Sequence, residues 1–102
     1  MTALAVFTTV GSKKEARQLA NAMVEARLAA CAQISKIDSV YAWKGKIERG
    51  KEYRVLFKTT EARYEQIERA IRSLHSYELP AIHAFVFDRI SAPYAGWIEE
   101  NT

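Results

Sequence analysis

Two long strand-like runs meet at one glycine-centred turn, and that pairing restricts the fold more than any other feature of the chain. Cys31 to Trp43 reads as one arm and Ile47 to Thr59 as the other. Lys44-Gly45-Lys46 turns between them, with Gly45 free to take positive φ. Each arm has about 13 residues and reaches roughly 45 Å at about 3.3 Å per residue. A compact domain of this length has a radius of gyration of only about 13 Å. The hairpin therefore overhangs its own domain or bends sharply. It carries Val40, Tyr41, Trp43, Ile47 and Tyr53, too much apolar surface to leave in water. The expectation is a closed homo-oligomer whose hairpins pair edge to edge with neighbours.

Periodicity orders the rest as a single domain over residues 1–102. Ala3 to Val10 is short and nearly all apolar, which suits a central strand. Ser12-Lys13-Lys14-Glu15 has capping-box spacing before a helix that presents Ala16, Leu19, Ala20, Met23 and Val24 on one face, ending near Arg27-Leu28. In the first hairpin arm the apolar residues are even-numbered at Ala32 and Ile34 but odd-numbered at Ile37, Tyr41 and Trp43. That slip predicts a bulge near Ser35-Lys36, and Gly50 predicts a second irregularity. Thr60 caps a helix that turns Tyr64, Ile67, Ile71 and Leu74 inward. Ile82 to Ile90 is a further strand, and Pro93 opens a short helix with Tyr94, Trp97 and Ile98 on one side. Two split βαβ units in this order predict an α+β, ferredoxin-like sandwich: βαββαβ plus a short C-terminal helix. The sheet is antiparallel, with both main helices on one face.

Leu74-His75-Ser76-Tyr77-Glu78-Leu79-Pro80-Ala81-Ile82 joins a helix to a strand and packs an imidazole, a phenol and a carboxylate into four residues. Pro80 stiffens its exit, so the cluster is held in place. It is either a hydrogen-bonded clasp or a binding site. His75 and His83 flank this loop and offer nitrogens to copper, nickel or zinc, with Glu78 as a further donor. Two imidazoles alone make only a weak, water-completed site. His75 at a helix end equally suits a cap on free carbonyls. Tyr77 suits a core residue whose hydroxyl finds a partner, Cys31 a small buried hydrophobe, and Lys58 either an anion anchor or a snorkelling side chain.

The net charge of +3 and the pI near 9.1 are mildly basic, and like charges are not gathered into a long run or a stripe. The surface reads as solvated rather than as a nucleic-acid footprint. Ile47 to Thr59 lacks the glycine-aromatic consensus of the RNA-recognition motif. Val10-Gly11-Ser12-Lys13-Lys14 is not a phosphate-cradling loop of the acylphosphatase kind, and no nucleophile–base pair is visible. The single cysteine fits a reducing compartment, and Thr2 to Val10 is too short to span a membrane. A cytoplasmic protein with neither catalysis nor nucleic-acid partner is expected.

Four ordered motifs carry a family resemblance. They are Arg27-Leu28-Ala29-Ala30-Cys31-Ala32-Gln33-Ile34, Ser39-Val40-Tyr41-Ala42-Trp43-Lys44-Gly45-Lys46-Ile47-Glu48, Phe57-Lys58-Thr59-Thr60 and His75-Ser76-Tyr77-Glu78-Leu79-Pro80-Ala81-Ile82, followed by Tyr94 and Trp97-Ile98. The chain resembles the CutA divalent-cation-tolerance family over essentially its whole length. The resemblance implies a tight homotrimer, an architecture like that of the trimeric PII signalling proteins, and a role in tolerance of divalent metals, copper(II) foremost. It implies no catalysed reaction. An alternative is a PII-like sensor or scaffold that binds a small anion at intersubunit clefts lined by Cys31, Lys58 and Tyr77. Ser76 stands where the family loop usually has proline and Ala81 where it usually has glutamate. Thr8 and Leu74 replace a cysteine and a histidine found in some members.

Overall fold

The computed structural model describes residues 1–102. Four strands, β1 (Ala3–Val10), β2 (Cys31–Trp43), β3 (Lys46–Thr60) and β4 (His83–Val86), form one antiparallel sheet in the order β2-β3-β1-β4. Three α-helices complete the chain: α1 (Lys13–Glu25), α2 (Tyr64–Leu74) and α3 (Ala92–Glu100). This is the ferredoxin-like sandwich expected from the pattern, with β1 internal as its apolar sequence requires.

The core lies between the sheet and α1/α2. Leu4, Val6, Val10, Val55 and Phe57 meet Leu19, Met23, Ile67 and Ile71 there. Strand side chains alternate, so the residues between them face the other way. Ala3 and Ala30 do so, and they bury Ile98 of α3 together with Phe87, Ile90 and Tyr94. The third helix thus covers one end of the second face. Further along that face Phe7 stacks on His83 at 5.5 Å and meets Phe85 edge-on at 5.7 Å, with the Arg54 guanidinium 5.6 Å from the Phe7 ring centre.

α1 begins at Ser12, whose Oγ accepts the Glu15 amide at 3.1 Å. It ends with Leu28 N–H donating to the Met23 carbonyl and Arg27 N–H to the Val24 carbonyl, a Schellman closure. Arg27 takes the left-handed position usually held by glycine, at φ 59°. Its guanidinium donates to the Glu100 carbonyl at 2.6 Å, tying the end of α3 to the end of α1.

The hairpin overhangs. β1 pairs with β3 only from Tyr53 to Thr60, so residues 46–52 have β2 alone beside them. The molecule is accordingly 44 Å long but only 25 and 22 Å across. The turn has Lys44 at φ 50° and Gly45 at φ 80°, the paired left-handed residues of a type I′ turn.

Several expectations need correction. The β2–β3 ladder runs without interruption from Cys31↔Lys58 to Trp43↔Lys46, so there is no bulge at Ser35-Lys36 and no break at Gly50. Ala32 and Ile34 face the helices, whereas Ile37, Tyr41 and Trp43 lie on the opposite face; the preferred face changes because the hairpin runs past the core. β4 has four residues rather than nine, because Phe87 and Ile90 leave the sheet to pack under α3. Thr60 makes no side-chain cap, and a short 3-10 turn at Glu61–Arg63 precedes α2. Finally, Leu74 is 56% and Val24 39% exposed, since each sits at the end of its helix.

Candidate functional site

At the end of α2 the backbone of His75 turns extended. Its side chain is fully buried, and both ring nitrogens are engaged. Nε2–H donates to the Thr9 carbonyl on β1 at 2.8 Å, and Nδ1 accepts the Tyr77 N–H at 3.0 Å. The first bond anchors the loop to the sheet; the second bends the loop back on itself. Of the two readings open in the sequence, His75 takes the clasp.

Ser76 is held from the other side. Glu15, in the first turn of α1, accepts the Ser76 N–H at 3.0 Å and the Ser76 hydroxyl at 2.9 Å. The capping box is therefore half formed: Ser12 receives the Glu15 amide, but the Glu15 carboxylate serves the loop. A proline at position 76 has no N–H to give, so this clasp depends on the departure from the family pattern.

Tyr77 points along the overhang. Its ring stands beside Gly11, where an added Cβ would come within 3.4 Å of the phenol oxygen. Its hydroxyl donates to Glu52 at 2.7 Å. Burial first, then the Glu52 hydrogen bond and charge, push its pKa well above 10.0. Tyr64 is shifted in the same direction, by burial and then by its hydrogen bond to Glu68 at 3.1 Å.

Between the hairpin and this loop lies a groove of about 740 Å³. Tyr41, Trp43 and Tyr77 supply aromatic walls, and Asp38, Glu52 and Glu78 supply carboxylates. At its mouth Glu78 sits 3.4 Å from the Lys44 ammonium, with both side chains exposed.

The histidines and Glu78 expected to share a metal do not converge within one chain. His75 is locked in the clasp, Glu78 pairs with Lys44 at the hairpin tip, and His83 stacks on Phe7 across the open sheet face. No group of three or more His, Cys, Asp or Glu side chains is placed to hold a metal ion. A single subunit therefore does not fit a divalent cation.

The residues expected to line an intersubunit cleft lie apart within one subunit. Cys31 and Lys58 are register partners on β2 and β3, at the α3 end, where the Lys58 ammonium donates to the Tyr94 hydroxyl at 3.1 Å. Tyr77 reaches β3 at Glu52, six residues away, about 20 Å along a strand. Cys31 is a half-buried free thiol. Within a subunit, then, Lys58 and the His75 loop share no cleft, and the groove beside the loop bears carboxylates rather than cations.

Sequence reasoning passed over Glu15 and Glu52. Glu15 already had a role, as the second half of a capping box. The signal for its actual role was Ser76, a loop residue with a free N–H and a hydroxyl. Nothing in the pattern marked Glu52.

A family model described as CutA1 divalent ion tolerance protein matches residues 4–101. The chain belongs to the CutA1 family. The divalent-cation tolerance protein CutA of Thermotoga maritima is 34% identical over 96 residues, covering 94% of this chain and 95% of that protein. The structure of the divalent cation tolerance protein Cut A1 from Thermus thermophilus superposes with a TM-score of 0.94 at 36% identity, over 98% of each chain. That of the periplasmic divalent cation tolerance protein CutA from Archaeoglobus fulgidus gives 0.95 at 31% identity, over 97% of each. No helix of this CutA1 chain is long and apolar enough to cross a membrane.

Proposed function

We propose that this protein serves divalent-cation tolerance as a non-catalytic homotrimer. The observation that carries the reading is the family match across residues 4–101. The trimer is supported by the hairpin overhang and by Val40, Ile47, Phe85 and Val86, all more than half exposed, which a monomer would leave in water. Copper(II) or another divalent cation is its ion, weakly held and completed by donors from more than one copy, because one chain assembles no ligand set. His83 is the donor of choice: its ring is exposed, whereas both nitrogens of His75 are engaged. A cytoplasmic setting agrees with the single free thiol.

Two measurements test the proposal. Native mass spectrometry of protein purified without added metal should give three subunits; a folded monomer at low micromolar concentration overturns the trimer. Calorimetry with copper(II) should lose its signal in His83→Ala. Heat identical to that of the wild type removes His83 as a ligand.

A further inference from the structure

Two hydrogens compete for one lone pair on His75. In the neutral ring Nδ1 accepts the Tyr77 N–H at 3.0 Å, while Nε2 keeps its own hydrogen for the Thr9 carbonyl at 2.8 Å. Nδ1 is therefore the only position on the ring for a further proton, and that proton displaces the Tyr77 amide. A partner for the charged ring is already in place. A Glu15 carboxylate oxygen lies 4.0 Å from Nδ1, on a side chain that is itself largely buried. Glu15 has no other ion-pair partner in the chain.

Few charges surround the ring. α1 brings the Glu15 carboxylate, β1 the Thr9 carbonyl, and the loop the Tyr77 phenol, with ring centres 4.9 Å apart. Glu52 of β3 stands behind that phenol, bonded to its hydroxyl. From α2, Arg72 turns to Glu68 instead. The His75 side chain has no exposed surface, so a neighbouring copy laid over the overhang leaves these contacts as they are.

We infer that His75 is an acid-operated release for the loop after α2. When Nδ1 takes a proton, the Tyr77 N–H loses its acceptor and the new Nδ1–H turns to Glu15. The loop exchanges a bond to its own backbone for an ion pair to α1. Tyr77 carries the change outward, because its hydroxyl holds Glu52 at the root of the overhang. A proton that binds only the open arrangement shifts the population toward it. The hairpin root is thus held firmly by the neutral ring and loosely by the charged one. Imidazole suits the task because its ordinary titration range spans about pH 5 to 8.

The test uses the full chain, metal-free in chelator, followed by NMR from about pH 8 to about pH 5. The His75 ring nitrogens report where the protons are. Hydrogen exchange, corrected for its intrinsic pH dependence, reports the Tyr77 amide. At the upper end Nε2 should be protonated and Nδ1 bare. As Nδ1 gains its proton, protection of the Tyr77 amide should fall about tenfold, while amides in the middle of β1 keep theirs. Glu15→Gln keeps an acceptor for Ser76 but cannot balance an imidazolium, and should move both events about one pH unit lower. The inference is overturned if Nδ1 stays bare until β1 itself opens, or if Nδ1 is protonated with Tyr77 protection unchanged. It is equally overturned if Glu15→Gln titrates as the wild type does. Wild type alone decides the first two results, so the test holds even if Glu15→Gln does not fold.

Discussion

The Tyr77 hydroxyl donates to Glu52 at 2.7 Å, and Glu52 is the first residue of β3 beyond the reach of β1. One hydrogen bond thus fastens the loop after α2 to the root of the overhang. At that root β3 is braced on one side by β2 and on the other by a phenol.

Tyr77→Phe removes that brace and should cost about 1 kcal/mol at neutral pH. Its signature lies at alkaline pH. A phenol pKa raised in the fold means the folded protein holds the proton more tightly than the unfolded chain. That stabilisation is complete below the unfolded value of 10.0 and is lost as pH rises toward the folded value. Urea midpoints measured from about pH 9 to about pH 12 should fall more steeply for wild type than for Tyr77→Phe. Parallel curves would remove Tyr77 from the account. Tyr64 shifts the same way, so some decline should persist in the variant.

His75→Ala should destabilise the protein by about 2–4 kcal/mol, by leaving the Thr9 carbonyl and Tyr77 amide without partners and a cavity where the ring was. Hydrogen exchange at the Tyr77 amide should speed up more than exchange in β1. Unchanged protection there would show that the loop is held by other contacts.

Thr8 is buried in the middle of β1 with no partner for its hydroxyl. Thr8→Val keeps the shape and removes the unpaired oxygen, so stability should rise by about 1 kcal/mol. A lower thermal midpoint would mean that the hydroxyl has a partner in solution.

Lys44 holds φ 50° in the turn, where a side chain with a Cβ is strained. Lys44→Asn suits that conformation better and should add about 0.5–1 kcal/mol. Denaturant titration decides the sign.

The fold was legible where one physical demand acted alone. β1 is buried on both sides and reads as continuous apolar sequence, and Gly45 marks the turn because little else takes its φ. The misreadings arose where two demands overlapped. Ile37, Tyr41 and Trp43 changed parity because the hairpin ran off the core, which mimics a bulge in sequence. The run from Ile82 to Ile90 stayed apolar through a change of partner, from β1 to α3, and hydrophobicity does not record which neighbour it answers to. At the site, residue types identified the loop as ordered. They could not tell an imidazole whose nitrogens are free from one whose nitrogens are bonded, since that depends on where the Thr9 carbonyl and Tyr77 amide lie.

Ser76 and Glu15 have one further consequence. A proline would stiffen the loop through its covalent ring, whatever the solvent; here the same stiffness comes from a carboxylate grasping an amide and a hydroxyl. Substitution at either position changes what the other is worth, so the two sites are expected to evolve as a pair.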